Sequence, residues 1–246
     1  MIPLEYLKAV RGILDHLEKS QLPAMERAAE FVADALTQKG AVFCAELGHG
    51  NQGDFINRAG GLAAVQPFSF NFAVNAPVAD CLKDRPRPEP LDEKLEFVRC
   101  ATRNSNLRAG DVMLVSSVSG RNAGPIQLAL ACREMGVKTI GFTSMEYTSR
   151  VESLDPSGKR LFEVVDVVID IGAPYGDAAV QIPGYEFKLL PVSGVAMIVA
   201  GWMIWGRVME KMAAAGNPPS VFMSLNREGG TEFYEKSKAE FNKRGF

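Results

Sequence analysis

The sequence is poor in the residues that build metal centres and covalent frameworks. It holds two histidines and four cysteines in 246 residues. Cys44, Cys81, Cys100 and Cys132 show no Cys-x-x-Cys spacing, and two of them sit in apolar runs, as small core residues do. A His-rich metal site is therefore not expected, and neither is a bound cofactor. Charge of one sign is not in excess either. Lys and Arg number 27 against 29 Asp and Glu, for a net charge of −2, so there is no basic field to hold nucleic acid. Repeats and low-complexity tracts are absent. The first 20 residues carry Glu5, Asp15 and Glu18 and lack a signal peptide's apolar run, so a cytoplasmic location is expected. One uncharged apolar stretch, 189–206, spans 18 residues and could just cross a bilayer. Pro191, Ser193, Gly194 and Gly201 interrupt it, and a buried helix fits better, with no membrane partner.

What is present describes a globular α/β protein, 47% hydrophobic and 23% charged. The expected fold is a single domain over 1–246, with a helical pair in 1–39 and an α/β core in 40–246. In 4–17, Leu4, Leu7, Val10, Ile13, Leu14 and Leu17 form a helical stripe, and Pro23 opens a second helix running to Gln38. His16 reads as a surface histidine. Strands are expected at 41–47, 62–65, 111–116, 137–142, 164–171 and, short and last, 218–224. Helices are expected at 91–104, 122–135, 192–215 and 231–243, the last with a solvated charged face. The architecture implied is a parallel sheet of about five strands with helices on both faces. Residues 68–90 contain Pro77, Pro86, Pro88 and Pro90 and read as a loop packed over the sheet, or a lid. The alternation of Phe68, Phe70 and Phe72 also fits an edge strand. Residues 172–180 read as turns.

The stretch 110–143 organises the chain. A short apolar strand is followed by a turn crowded with Ser117, Ser119, Gly120 and Asn122. A helix carrying Ile126, Ala129, Leu130 and Cys132 follows, then the stop at Gly136 and another strand. Such a turn lies at the carboxyl edge of the sheet, where open α/β folds bind ligands. The first amides of its helix have no internal partner, and the helix dipole adds positive potential there. Two readings stand side by side. The turn is an anion pocket suited to a phosphate monoester, with Ser117, Ser119 and Asn122 as donors and Gly120 admitting close approach. Alternatively, Ser119 or Asn122 is an ordinary N-cap and the other serines form the turn.

The segment 116–125, SSVSGRNAGP, resembles the Ser-x-Ser-Gly-x-[Ser/Thr] turn of SIS (sugar isomerase) domains. The resemblance continues through RAGGLAAV (58–65), SGKRLFEVVDVVID (157–170), GAPYGDAAV (172–180), PVSG (191–194) and PPSVFMSLN (218–226), and is closest to a single-SIS-domain subfamily. It implies a flavodoxin-like SIS fold, a phosphorylated sugar as ligand, and a homodimer built partly from the N-terminal helices. It also places Gly48, Gly50, Asn51 and Ser193 near the ligand. The chain departs from the family at 46–51: Gly48 and His49 match, but Gly50 replaces a serine and Glu46 a glycine.

If the protein is an enzyme, the resemblance implies aldose–ketose isomerisation through an enediol. Glu46 or His49 would move the protons, with Asp177 and Glu186 in reserve. His49 also reads simply as a loop histidine that fixes backbone geometry. Isomerase relatives carry a Glu and a His on the long C-terminal helix, and residues 192–208 contain neither. The alternatives are a regulatory module that senses a phosphosugar and, more remotely, a lyase or etherase. Ser144, Tyr147 and Ser149 are weaker candidates for the ligand site, and Ser224 and Asn226 are expected at its mouth.

Overall fold

A computed structural model describes residues 1–49, 52–71, 73, 75–84, 86 and 93–246. Five parallel strands form the central sheet in the order β2-β1-β3-β4-β5: β1 Val42–Gly48, β2 Val65–Phe68, β3 Val112–Ser116, β4 Lys138–Thr143 and β5 Val167–Asp170. The strands are apolar on both sides because both faces are covered. Val112 and Leu114 join a core with Ile140, Phe142, Val167 and Ile169 under helices α1 (Ile2–His16), α2 (Leu22–Thr37) and α6 (Ser193–Ala214). Met113 and Val115 point the other way, into a core with Ile126, Leu128 and Cys132 of α4 (Ala123–Glu134) and Val98 of α3 (Glu93–Arg103). Full burial of one such side chain contributes about 1.5–3 kcal/mol.

The apolar stretch near the C-terminus is a core helix. Ala196, Met197, Ala200, Ile204, Trp205, Val208 and Met212 of α6 are buried. A Cβ at Gly201 would collide with the Phe55 ring, so glycine there lets that ring pack on the helix. Among the described residues no helix is long and apolar enough to cross a membrane. Cys44 and Cys132 are buried, and burial pushes both thiols up to about 12.

Several expectations need correction. The helical pair is joined by a π-helical turn, Leu17–Gln21, instead of a break. Pro23 has no amide to donate, and a widened turn accommodates it. His16 is half-buried, not a surface residue: its Nε2 lies 3.1 Å from the Asp170 carbonyl oxygen. The second strand begins at Val65, where 62–65 was expected to end, and it includes Phe68. Phe70 packs beside Phe68, and Phe72 lies outside the described residues. The described residues of 75–84 are exposed and do not pack over the sheet. In 218–224 only Val221 pairs, in an isolated bridge to Leu62, since Pro218 and Pro219 cannot donate to a ladder.

The turns expected at 172–180 end in a strand. β6 (Ala178–Val180) pairs antiparallel with β7 (Leu189–Pro191), matching Ala178 to Pro191. This hairpin sets Asp177 beside the start of α6. The remaining helices are α5 (Met145–Thr148) and α7 (Gly230–Arg244).

Candidate functional site

The sheet's carboxyl edge gathers the end of β1, the turn after β3 and the start of α6. At the end of β1 the register with β3 jumps from Cys44↔Leu114 to Gly48↔Ser116, so Ala45–Leu47 bulge opposite Val115. Gly48 then closes back onto β3 with φ +94, and a Cβ there would collide with the Ser116 carbonyl oxygen. Gly48 is required for chain geometry. The His49 amide donates to the Ser116 carbonyl at 3.1 Å, and Ser116 Oγ donates to the His49 carbonyl at 2.5 Å. His49 is thereby held next to the Ser-rich turn. Leu47 reaches the start of α4, lying 3.6 Å from where a Gly124 Cβ would sit.

The turn itself is held by backbone hydrogen bonds. The Ser117 amide donates to Phe142 and the Gly120 amide to Ser117. Gly120 has φ +63, and a Cβ there would lie 2.9 Å from both Thr143 Oγ1 and Thr148 Oγ1. Its lack of a side chain serves this packing. From outside, Leu154 and Leu161 donate to the carbonyls of Arg121 and Gly120. Buried Asp155 accepts from Gln127 of α4 at 2.8 Å and anchors that strap to the helix.

The reading of this turn as an ordinary helix cap is not supported. Asn122 occupies the N-cap position with extended backbone, yet its side chain makes no cap bond. Among the described residues, the Ser117 and Ser119 hydroxyls have no hydrogen-bond partner, and no acceptor serves the amides of Ala123 and Gly124. A helix start usually recruits a side-chain oxygen, an interaction worth about 1 kcal/mol. Buried Ser117, half-buried Ser119 and the start of α4 thus share one turn in which, among the described residues, the chain supplies no acceptor.

The start of α6 is the opposite case. Asp177 Oδ1 accepts the amides of Ser193 at 2.9 Å and Val192 at 3.3 Å, and its Oδ2 accepts the Ser193 hydroxyl at 2.5 Å. Ser193 is fully buried, and its Oγ lies 3.5 Å from His49 Nε2. Sequence reasoning treated Asp177 as a reserve base; it is instead an occupied acceptor. Val192 holds the N-cap position of α6 and its side chain offers no oxygen; the cap comes from Asp177 instead.

The other candidates divide. Gly50 and Asn51 lie outside the described residues. Glu46 is exposed on the bulge and makes no hydrogen bond or ion pair among the described residues. Ser144 is fully buried as the N-cap of α5, accepting from the Tyr147 amide and donating to the Ala173 carbonyl. Ser149 Oγ donates to Glu146 of its own helix. Ser224 and Asn226 bond to each other in a turn and share no hydrogen bond with the site. Beneath the site is a small cavity lined by Cys44, Phe55, Leu114, Ser116, Phe142 and Met197. Among the described residues no group of three or more His, Cys, Asp or Glu is placed to hold a metal ion.

Comparison with known proteins identifies a family and a fold. A family profile described as SIS domain matches residues 5–144. A UPF0309 protein of Listeria innocua is 30% identical over 241 residues, 97% of this chain and 95% of that protein. A UPF0309 protein of Halalkalibacterium halodurans is 30% identical over 242 residues, 97% of each chain. Among solved structures, a phosphoheptose isomerase from Neisseria gonorrhoeae superposes with a TM-score of 0.51 at 16% identity, covering 84% of this chain and 96% of that one, a likeness of fold.

Proposed function

The chain belongs to the SIS domain family, and from that premise we propose that it binds a phosphorylated sugar with the phosphate on the turn from Ser117 to Gly124. One observation carries the reading: the start of α4 is left without an acceptor while the Ser117 and Ser119 hydroxyls stand unbonded beside it. A phosphate dianion supplies the acceptors and meets the positive end of the helix dipole. The phosphoheptose isomerase of similar fold acts, by its name, on a sugar of this class.

The sugar then extends toward His49, whose backbone is bonded to Ser116 at the start of the turn. In the catalytic form of the proposal, the reaction is aldose–ketose isomerisation, with His49 moving protons between carbon and oxygen. Glu46 on its bulge is the carboxylate available from β1. A second reading is a phosphosugar sensor without turnover, favoured by the lack of Glu and His in 192–208. The proposal includes a cytoplasmic homodimer. Exposed Leu4, Leu7 and Leu14 of α1, and Leu22, which lines a groove with Met25, Trp202 and Met203, support that assembly. Sedimentation equilibrium tests it, and a monomer at all concentrations would remove it.

The binding test is thermal unfolding with a panel of phosphorylated sugars and their unphosphorylated counterparts. A ligand at 100 times its Kd stabilises by about 2.7 kcal/mol. Stabilisation by phosphorylated members only, lost in Ser117→Ala/Ser119→Ala, is the expected result. A panel with no effect on the intact protein sinks the binding reading. Exchange of the sugar's carbon-bound hydrogen in heavy water, absent in His49→Ala, separates isomerase from sensor.

A further inference from the structure

The geometry points to a positioning role for Asp177: acting through the Ser193 hydroxyl, it sets which nitrogen of His49 carries the proton. This deepens the reading of His49 as the proton-moving group and rests on it for its catalytic meaning, though the hydrogen-bond chain itself does not.

The argument is a count of protons. Asp177 Oδ1 is occupied by two backbone amides, and Oδ2 receives the only proton of Ser193 Oγ, at 2.5 Å. A serine hydroxyl has one hydrogen and two lone pairs. Having donated to Asp177, Ser193 can only accept from the His49 ring. The ring nitrogen facing it, Nε2 at 3.5 Å, must then be the donor. That distance is at the outer limit for a hydrogen bond, and catalytic contacts often tighten only when substrate is bound. Neutral His49 therefore holds its proton on Nε2. Nδ1, which has no partner among the described residues, keeps a lone pair and is the basic nitrogen.

Three separate pieces of chain meet to build this arrangement. The β6–β7 hairpin brings Asp177 to α6, the buried start of α6 supplies Ser193, and Ser116 pins both backbone groups of His49. Asp177 adopts φ 55, a left-handed conformation uncommon for a residue other than glycine. The order of bonding is also informative. In a nucleophilic triad the acid binds the histidine and the histidine accepts from the serine. Here the acid binds the serine, so Ser193 is a relay and not a nucleophile.

The test exploits the scarcity of histidine. The chain contains two, so long-range proton–nitrogen NMR of the ligand-free full chain, assigned with His16→Gln, reads the His49 tautomer directly. In the intact protein above pH 8, Nε2 is protonated and Nδ1 is not. Asp177→Asn is the decisive variant. Its amide oxygen keeps the two backbone contacts, and its NH2 must now donate to Ser193 Oγ. Ser193 then donates to Nε2, and the proton moves to Nδ1. A helix cap alone would not invert the ring. Ser193→Ala keeps the cap and breaks the relay, leaving a mixture of tautomers. Identical tautomer populations in the intact protein, Asp177→Asn and Ser193→Ala would overturn the inference, as would Nδ1 protonation in the intact protein. Should Asp177→Asn fail to fold, Ser193→Ala decides. If a phosphosugar turns over, Asp177→Asn lowers kcat by about 100-fold or more with little change in KM. Inversion of the tautomer without any phosphosugar binding would preserve the relay and remove the sugar reading.

Discussion

Two helix starts meet at the carboxyl edge of this sheet, and the chain treats them differently. The start of α6 receives a carboxylate that accepts two amides and a hydroxyl. The start of α4 has an asparagine at the capping position that caps nothing, flanked by serines whose hydroxyls are unbonded among the described residues. Both starts carry a dipole of the same sense and unpaired first-turn amides, with one fewer at α4, where Pro125 has no N–H. An end satisfied internally is architecture; an end left open is, on the proposed reading, where the anion sits. On that reading, binding falls to α4 and positioning to α6.

The largest expected effect comes from stripping the satisfied end. Asp177→Ala leaves two amides and the buried Ser193 hydroxyl without an acceptor and should cost about 3 kcal/mol in urea unfolding. A loss below about 1 kcal/mol would erase the contrast between the helices. Next is the shape of the open end. Gly120→Ala forces a side chain onto φ +63 and against two threonine hydroxyls at 2.9 Å, for a cost of about 2 kcal/mol. Full stability in that variant would mean the turn can relax.

Making α4 resemble α6 is a smaller and more informative change. Asn122→Asp should stabilise the unliganded protein by about 0.5–1 kcal/mol, while weakening phosphosugar binding at least about tenfold. Calorimetry showing undiminished affinity would move the phosphate elsewhere. Asn122→Ala should change stability by only a few tenths of a kcal/mol, although removing an asparagine from a working cap costs about 1 kcal/mol.

The smallest effect tests how α6 is tied along its length. Arg207 and Lys211 beside Glu26 of α2 hold its carboxyl down to about 2 from an ordinary 4.5. A lowered folded value means a contribution complete above pH 4.5 and lost as pH falls through about 2. Glu26→Gln should flatten the stability profile in that window and remove the small contribution that the intact protein keeps at every pH above it. The pair is solvent-exposed, so high salt should diminish the effect.

Much of this was legible in advance because it is local. The strand at 111–116, the turn after it and the helix at 122–135 follow from apolar runs, turn residues and helical spacing within one short stretch. The burial of Cys44 and Cys132 followed from their apolar neighbours. The β6–β7 hairpin was not legible: its strands are three residues each, and β7 contains left-handed Leu190 and a proline. Nor was the edge strand's start, because 62–68 is apolar almost throughout and both placements satisfy the same pattern.

By itself the sequence determined the layered α/β architecture and the place of the Ser-rich turn, since periodicity and turn chemistry act over a few residues. Only the tertiary structure decided which donors are spent and which remain open. Asp177 and Ser193 stand 16 positions apart, and Ser193 and His49 stand 144 apart. Hydrogen bonds over such separations depend on how the sheet, the hairpin and α6 pack together, and no local pattern encodes that.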